Sequence, residues 1–237
     1  MKDILERTTP TVKVLLAINV LMFVLTWIMP QMSDVLALHY YESPLFKPFQ
    51  LVSHFFMHGG LGHIAFNMYA LVMFGAVVER MIGAQKFLTL YVLSAVGAFA
   101  LHMLVVNYQV SGFSSEVLAE VSTQGAEILA NGQNYTDEFL GKANLKFNGA
   151  MLGASGAIMG ILAAFGVMYP NAKLGVIFLP FSLEAKYFIP ILIVVEIFLG
   201  VKEFSWDNIA HFAHIGGAIV GFGLMMMWKK RDVRSGM

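Results

Sequence analysis

Ser155 and His214 are the two residues in this sequence whose pairing would do covalent chemistry. Ser155 lies in GASGAIMG, residues 153–160, inside an apolar run. A serine hydroxyl is a poor nucleophile unless a base takes its proton. His214 lies in HFAHIGGAIVG, residues 211–221, at the start of another apolar run. Burial disfavours a charged imidazole, so a partly dehydrated site suits a neutral histidine base. The glycines have a plainer use as well. Gly156 and Gly160 are four apart, as are Gly217 and Gly221. Small residues at that spacing let membrane helices approach closely. The two uses are compatible: glycine-lined packing would bring Ser155 and His214 within hydrogen-bond distance.

Other polar residues stand where apolar ones are expected. HFFMHGGLGHIAFN, residues 54–67, carries His54, His58, His63 and Asn67. Spacings of four put His54 with His58, and His63 with Asn67, on common helix faces. His54, His58, His102 and His211, taken singly, read as structural histidines that hydrogen-bond loops and backbone. His-x3-His is also a helical zinc spacing. A zinc hydrolase of the H-E-x-x-H type places Glu beside the first His, and here that position is Phe55. No metal site is assigned. Asp207 or Asn208 is placed to cap the helix that carries His214. Glu196 reads as a snorkelling carboxylate or helix-packing partner, with orientation of His214 as the lesser alternative.

These residues need elements to hold them, and composition says which. Of 237 residues, 58% are hydrophobic and 13% charged, with mean hydropathy +0.70. A soluble domain carries about a quarter charged residues, so this chain reads as an integral membrane protein. Net charge is zero, which gives no hint of nucleic acid, and the absence of cysteine excludes disulfides and thiol chemistry. Apolar runs predict an all-α, polytopic protein with six transmembrane helices: Val12–Met29, Leu51–Val78, Phe87–Val106, Gly149–Tyr169, Phe188–Val201 and Ile209–Trp228. The first is too long for a signal-peptide core and reads as a retained anchor. Leu174–Pro180 reads as interfacial. With the N-terminus inside, Lys and Arg number eleven inside against four outside, which puts both termini in the cytoplasm. Residues 107–148 form an external polar insertion between the third and fourth spans, with a helix opening at Ser114 and closing at Asn131-Gly132.

GASGAIMG, AHIGGAIVG and HGGLGHIAFN together resemble the rhomboid intramembrane serine proteases, over roughly Leu51 to Gly223. The resemblance implies a single six-span rhomboid-like membrane domain over 1–237. It implies a Ser155–His214 dyad, and an oxyanion site from the Ser155 backbone N–H with the side chains of His63 and Asn67. It implies cleavage of transmembrane segments of other membrane proteins within the lipid bilayer, without a cofactor. His54 and His58 match positions that support the external loop and its water; Glu79-Arg80 matches a structural charged pair. Three features depart from the best-known bacterial pattern. Phe49-Gln50 stands for a Trp-Arg pair, Met159 for an aromatic that stacks on the histidine, and residues 107–148 exceed the minimal connection. The expected location is a bacterial cytoplasmic membrane. The alternative is a catalytically silent relative that binds transmembrane helices; such relatives lack the serine or the histidine, and both are present here.

Overall fold

The structure, a computed structural model, describes residues 8–175, 182–203 and 209–234. It is mostly helical. In chain order the elements are α1 (Pro10–Ile28), α2 (Gln31–Leu36), α3 (Gln50–Ser53), α4 (Leu61–Ala70), α5 (Ala76–Val110), α6 (Ser115–Glu120), α7 (Ala126–Ala130), α8 (Glu138–Asn148), α9 (Ser155–Met168), β1 (Lys173–Gly175), β2 (Ser182–Glu184), α10 (Ala185–Lys202) and α11 (His211–Arg234). Contacts group the chain into two units. One comprises residues 1–17, 65–101 and 155–237; the other comprises residues 18–64 and 102–154.

Among the described residues, three helical stretches are long and apolar enough to cross a membrane: Pro10–Ile28, Leu61–Val110 and His211–Lys230. The second is 50 residues long. At 1.5 Å per residue it would reach roughly 75 Å, more than twice a hydrocarbon core of roughly 30 Å. Gly83 divides it, with φ 79° and ψ 160° inside the α5 range. That conformation has a steric cost for any residue with a Cβ.

In the first unit, α1 begins on Pro10, whose missing N–H and fixed φ suit the first turn. The remaining first-turn donors need acceptors, and Glu79 of α5 supplies them. Its carboxylate accepts from the N–H of Thr11 at 3.1 Å, the N–H of Val12 at 3.0 Å and the hydroxyl of Thr9. A negative group at a helix N-terminus also complements the macrodipole. β1 and β2 pair antiparallel, Lys173 opposite Glu184. The expected interfacial segment, 174–180, falls mostly outside the described residues, as do the candidate caps Asp207 and Asn208.

In the second unit, the helix expected to open at Leu51 opens later. α3 runs into a 3₁₀ turn, His54–Phe56, which ends at Met57 in extended backbone. Gly59-Gly60 follows, a pair of poor helix formers, and continuous helix resumes only at Leu61. Residues 107–148 fold into short helices. Ser114 caps α6 through the N–H of Val117, and Asp137 caps α8 through the N–H of Leu140 at 2.8 Å. Asn131 and Gly132, with φ 70° at the glycine, close α7. Asn144 and Asn148 are buried in α8 and hydrogen-bond the carbonyls of Gly125 and Val121 at 3.1 and 2.8 Å. A Cβ at Gly125 would collide with Asn144. His39 ties the unit together: its ring lies between the carbonyl oxygens of Asn148 (2.8 Å from Nδ1) and Asp34 (3.1 Å from Nε2), and its ring N–H is the donor to them.

Candidate active site

Ser155 is the first residue of α9 and is half-buried. The backbone just before it turns through Gly153, whose φ of 131° only glycine adopts readily. At the first helical position the backbone N–H of Ser155 has no partner within its own helix. His214 lies in the first turn of α11. Ser155 Oγ and His214 Nε2 are 2.8 Å apart.

That distance follows from how α9 and α11 pack. A Cβ at Gly217 would collide with the backbone of Gly156, and one at Gly221 with the backbone of Gly160. α5 closes on the same place. A Cβ at Gly160 would strike Ser94, one at Gly156 would strike Ala98, and one at Gly216 would strike the carbonyl of Gly97. Ala157, Met159, Ile161 and Ala164 of α9 are buried. Three helix backbones therefore meet where side chains are shortest, and the dyad sits at one end of that seam.

Glu196, expected from sequence as a snorkelling or packing carboxylate with orientation of His214 as the lesser alternative, lies beside His214. Glu196 of α10 is buried, and its carboxylate meets two histidines. Oε2 is 2.6 Å from His211 Nδ1. Oε1 is 3.0 Å from His214 Nδ1, although the ring nitrogen is out of line for a hydrogen bond. Two signals for this were present in the sequence. His211 and His214 are three apart and so share a helix face, and Glu196 is a lone carboxylate in an apolar span. A charge at that depth costs roughly 2.5–3.5 kcal/mol on insertion scales unless it is paired.

The remaining candidates are placed as follows. Asn67 is buried in α4, and its Nδ2 makes no hydrogen bond among the described residues. His63, in the second unit, is half-buried; its Nδ1 accepts from the N–H of Gly59 at 3.4 Å. Its ring meets His58 edge to face at 5.1 Å. His58 is buried with both ring nitrogens unpartnered among the described residues. It borders a cavity of about 170 Å³, roomy enough for water. His54 is buried and hydrogen-bonds the carbonyl of Gln50 at 2.5 Å. Among the described residues, the set whose ligand atoms converge within 4.8 Å is Glu196, His211 and His214, not His54, His58 and His63.

Comparison with known proteins agrees with this architecture. The rhomboid-domain family model matches residues 46–231. Presenilin-associated rhomboid-like protein, mitochondrial, from Homo sapiens is 29% identical over 230 residues, covering 94% of this chain and 50% of that protein. Rhomboid protein 1, mitochondrial, from Saccharomyces cerevisiae is 26% identical over 213 residues, covering 87% and 50%. RHOMBOID-like protein 12, mitochondrial, from Arabidopsis thaliana is 28% identical over 176 residues, covering 72% and 43%. The chain belongs to the rhomboid family. It spans about half the length of the curated relatives it matches.

These relatives are mitochondrial by name, which overturns the expectation of a bacterial cytoplasmic membrane with cytoplasmic termini. The placement of the termini rested on counting Lys and Arg. Such a count orients loops relative to one another; it does not identify the membrane.

Proposed function

We propose that this chain is an intramembrane serine endopeptidase that cleaves transmembrane segments of other membrane proteins. The observation that carries the reading is the 2.8 Å approach of Ser155 Oγ to His214 Nε2, in a member of a family of such proteases. His214 takes the hydroxyl proton as Oγ attacks a substrate carbonyl carbon. The carbonyl π-electron pair moves to oxygen, giving a tetrahedral oxyanion. The backbone N–H of Ser155 and the side chain of Asn67 donate to that oxygen, and His63 is the further donor that the family resemblance implies. Preorganised donors aimed at developing charge are worth roughly 10²–10³ in turnover each. His214 then protonates the leaving amine, the C–N bond breaks, and water hydrolyses the ester on Ser155 with His214 again as base. No cofactor enters these steps.

The spans we assign to the fold are α1, residues 61–82, residues 84–106, α9, α10 and α11, six in all. Residues 107–148 stand outside the hydrocarbon as a folded insertion. A substrate helix hides its carbonyls in its own hydrogen bonds, so a helix that unwinds locally is the form this site takes. By the relatives' names, a mitochondrial membrane is the setting we assign. The silent helix-binding alternative has no observation in its favour, since serine and histidine are present and adjacent. Purified protein in liposomes with a single-span substrate tests the reading. Discrete products from wild type and none from Ser155→Ala are expected; equal products from both would refute it.

A further inference from the structure

We propose that Glu196 is a positioning residue that fixes the tautomer of His214, making a Ser155–His214–Glu196 triad braced by His211. The inference rests on the serine-protease reading above and goes beyond the dyad.

The geometry supplies the argument. A carboxylate in its ionised form only accepts hydrogen bonds. Its two oxygens face the Nδ1 atoms of His211 and His214, at 2.6 and 3.0 Å. Hydrogen on both Nδ1 atoms suits these contacts best, since a bare nitrogen so close would set lone pair against lone pair. A neutral imidazole has one N–H, so His214 Nε2 is left bare. That is the atom 2.8 Å from Ser155 Oγ, and a bare Nε2 is what a general base needs. The carboxylate also stabilises the imidazolium that forms when the serine proton arrives.

Packing independently favours this contact. Gly200 lies one turn beyond Glu196 on α10. A Cβ there would come within 2.9 Å of Phe212 and 3.1 Å of His211 Cβ. α10 and α11 thus approach closely beside the carboxylate. His211, 6% exposed, holds the second oxygen and stops the carboxylate from rotating away. The misaligned His214 contact fits a resting site, where such bonds tighten only as charge develops on the imidazole. Met159 stands where the resemblance expects an aromatic against the histidine ring. A carboxylate on the ring's far nitrogen supplies the orientation that stacking would have given.

The test uses Glu196→Gln, Glu196→Asp and Ser155→Ala in full-length protein reconstituted in liposomes. In Glu196→Gln the amide oxygen can accept from one histidine while the NH₂ group drives the other to the wrong tautomer. kcat should fall roughly 10²- to 10⁴-fold with KM little changed, as for the loss of a triad carboxylate elsewhere. Glu196→Asp keeps the charge and should recover part of the loss. In ¹⁵N-histidine-labelled wild type, the His214 signal, assigned by difference from His214→Asn, should report hydrogen on Nδ1. It should change in Glu196→Gln even if the fold is perturbed only slightly. Unchanged kcat in Glu196→Gln, or hydrogen on Nε2 in wild type, would overturn the triad. So would stoichiometric metal whose removal abolishes cleavage, because the ion would then occupy these side chains. Cleavage surviving in Ser155→Ala would instead refute the serine reading itself, so the two failures are distinguishable.

Discussion

At the scale of single residues, the reading makes non-additive demands. His214→Ala should cost about as much turnover as Ser155→Ala, roughly 10⁶-fold by comparison with soluble serine proteases, and the double variant little more. Kinetics on the single and double variants check this; effects that multiply would mean the two side chains do not act together. Asn67 is judged differently. Its Nδ2 is buried and unpartnered among the described residues, as a donor reserved for a transient acceptor would be. Asn67→Ala should lower kcat roughly 10²-fold with less effect on KM. Removing an unsatisfied buried donor should also leave stability unchanged or raised, which a melt would read. Ser155 and His214 were legible in the sequence because glycine spacing and a histidine at a span start are local patterns. The Glu196 contact was less so. A lone carboxylate in an apolar span can snorkel, pack or pair, and only the approach of α10 to α11 selects among these.

At the scale of elements, glycine separates packing from chemistry. A side chain at Gly217 would meet the backbone of Gly156, whereas nothing lies within 4 Å of a Cβ at Gly223. Gly217→Val should therefore destabilise by about 1–3 kcal/mol or more through overpacking. Gly223→Ala should be neutral within about 0.5 kcal/mol, or slightly stabilising through helix propensity. Thermal unfolding in one detergent compares the two; equal melting temperatures would contradict the glycine seam. Glu79 makes a second prediction. Glu79→Ala orphans the N–H groups of Thr11 and Val12, and should cost about 0.5–2 kcal/mol, as losing a helix cap does. Activity measured well below the melting temperature should survive. Helix cores could be read from apolar runs, since a bilayer demands them. Boundaries could not: the break at Met57–Gly60 and the turn at Gly83 depend on backbone conformations that hydropathy does not register.

At the scale of the whole molecule, the family follows from three motifs on three helices, and the family model covers residues 46–231. The fold of residues 107–148 was only partly visible. Ser114, Asn131 and Gly132 mark helix ends by local rules, but the buried Asn144–Asn148 pair satisfies carbonyls at Val121 and Gly125, which lie far away in sequence. The membrane that holds the chain was not legible, because basic residues orient loops in any bilayer. All of the chemistry above turns on Ser155 being the nucleophile. Purified wild-type protein in lipid is reacted with a fluorophosphonate and the modified peptide is mapped. The account predicts one label per active chain, on Ser155, with labelling rising and substrate cleavage falling in step as the dose increases. Label on another residue, or full cleavage by protein labelled to completion at Ser155, would contradict it.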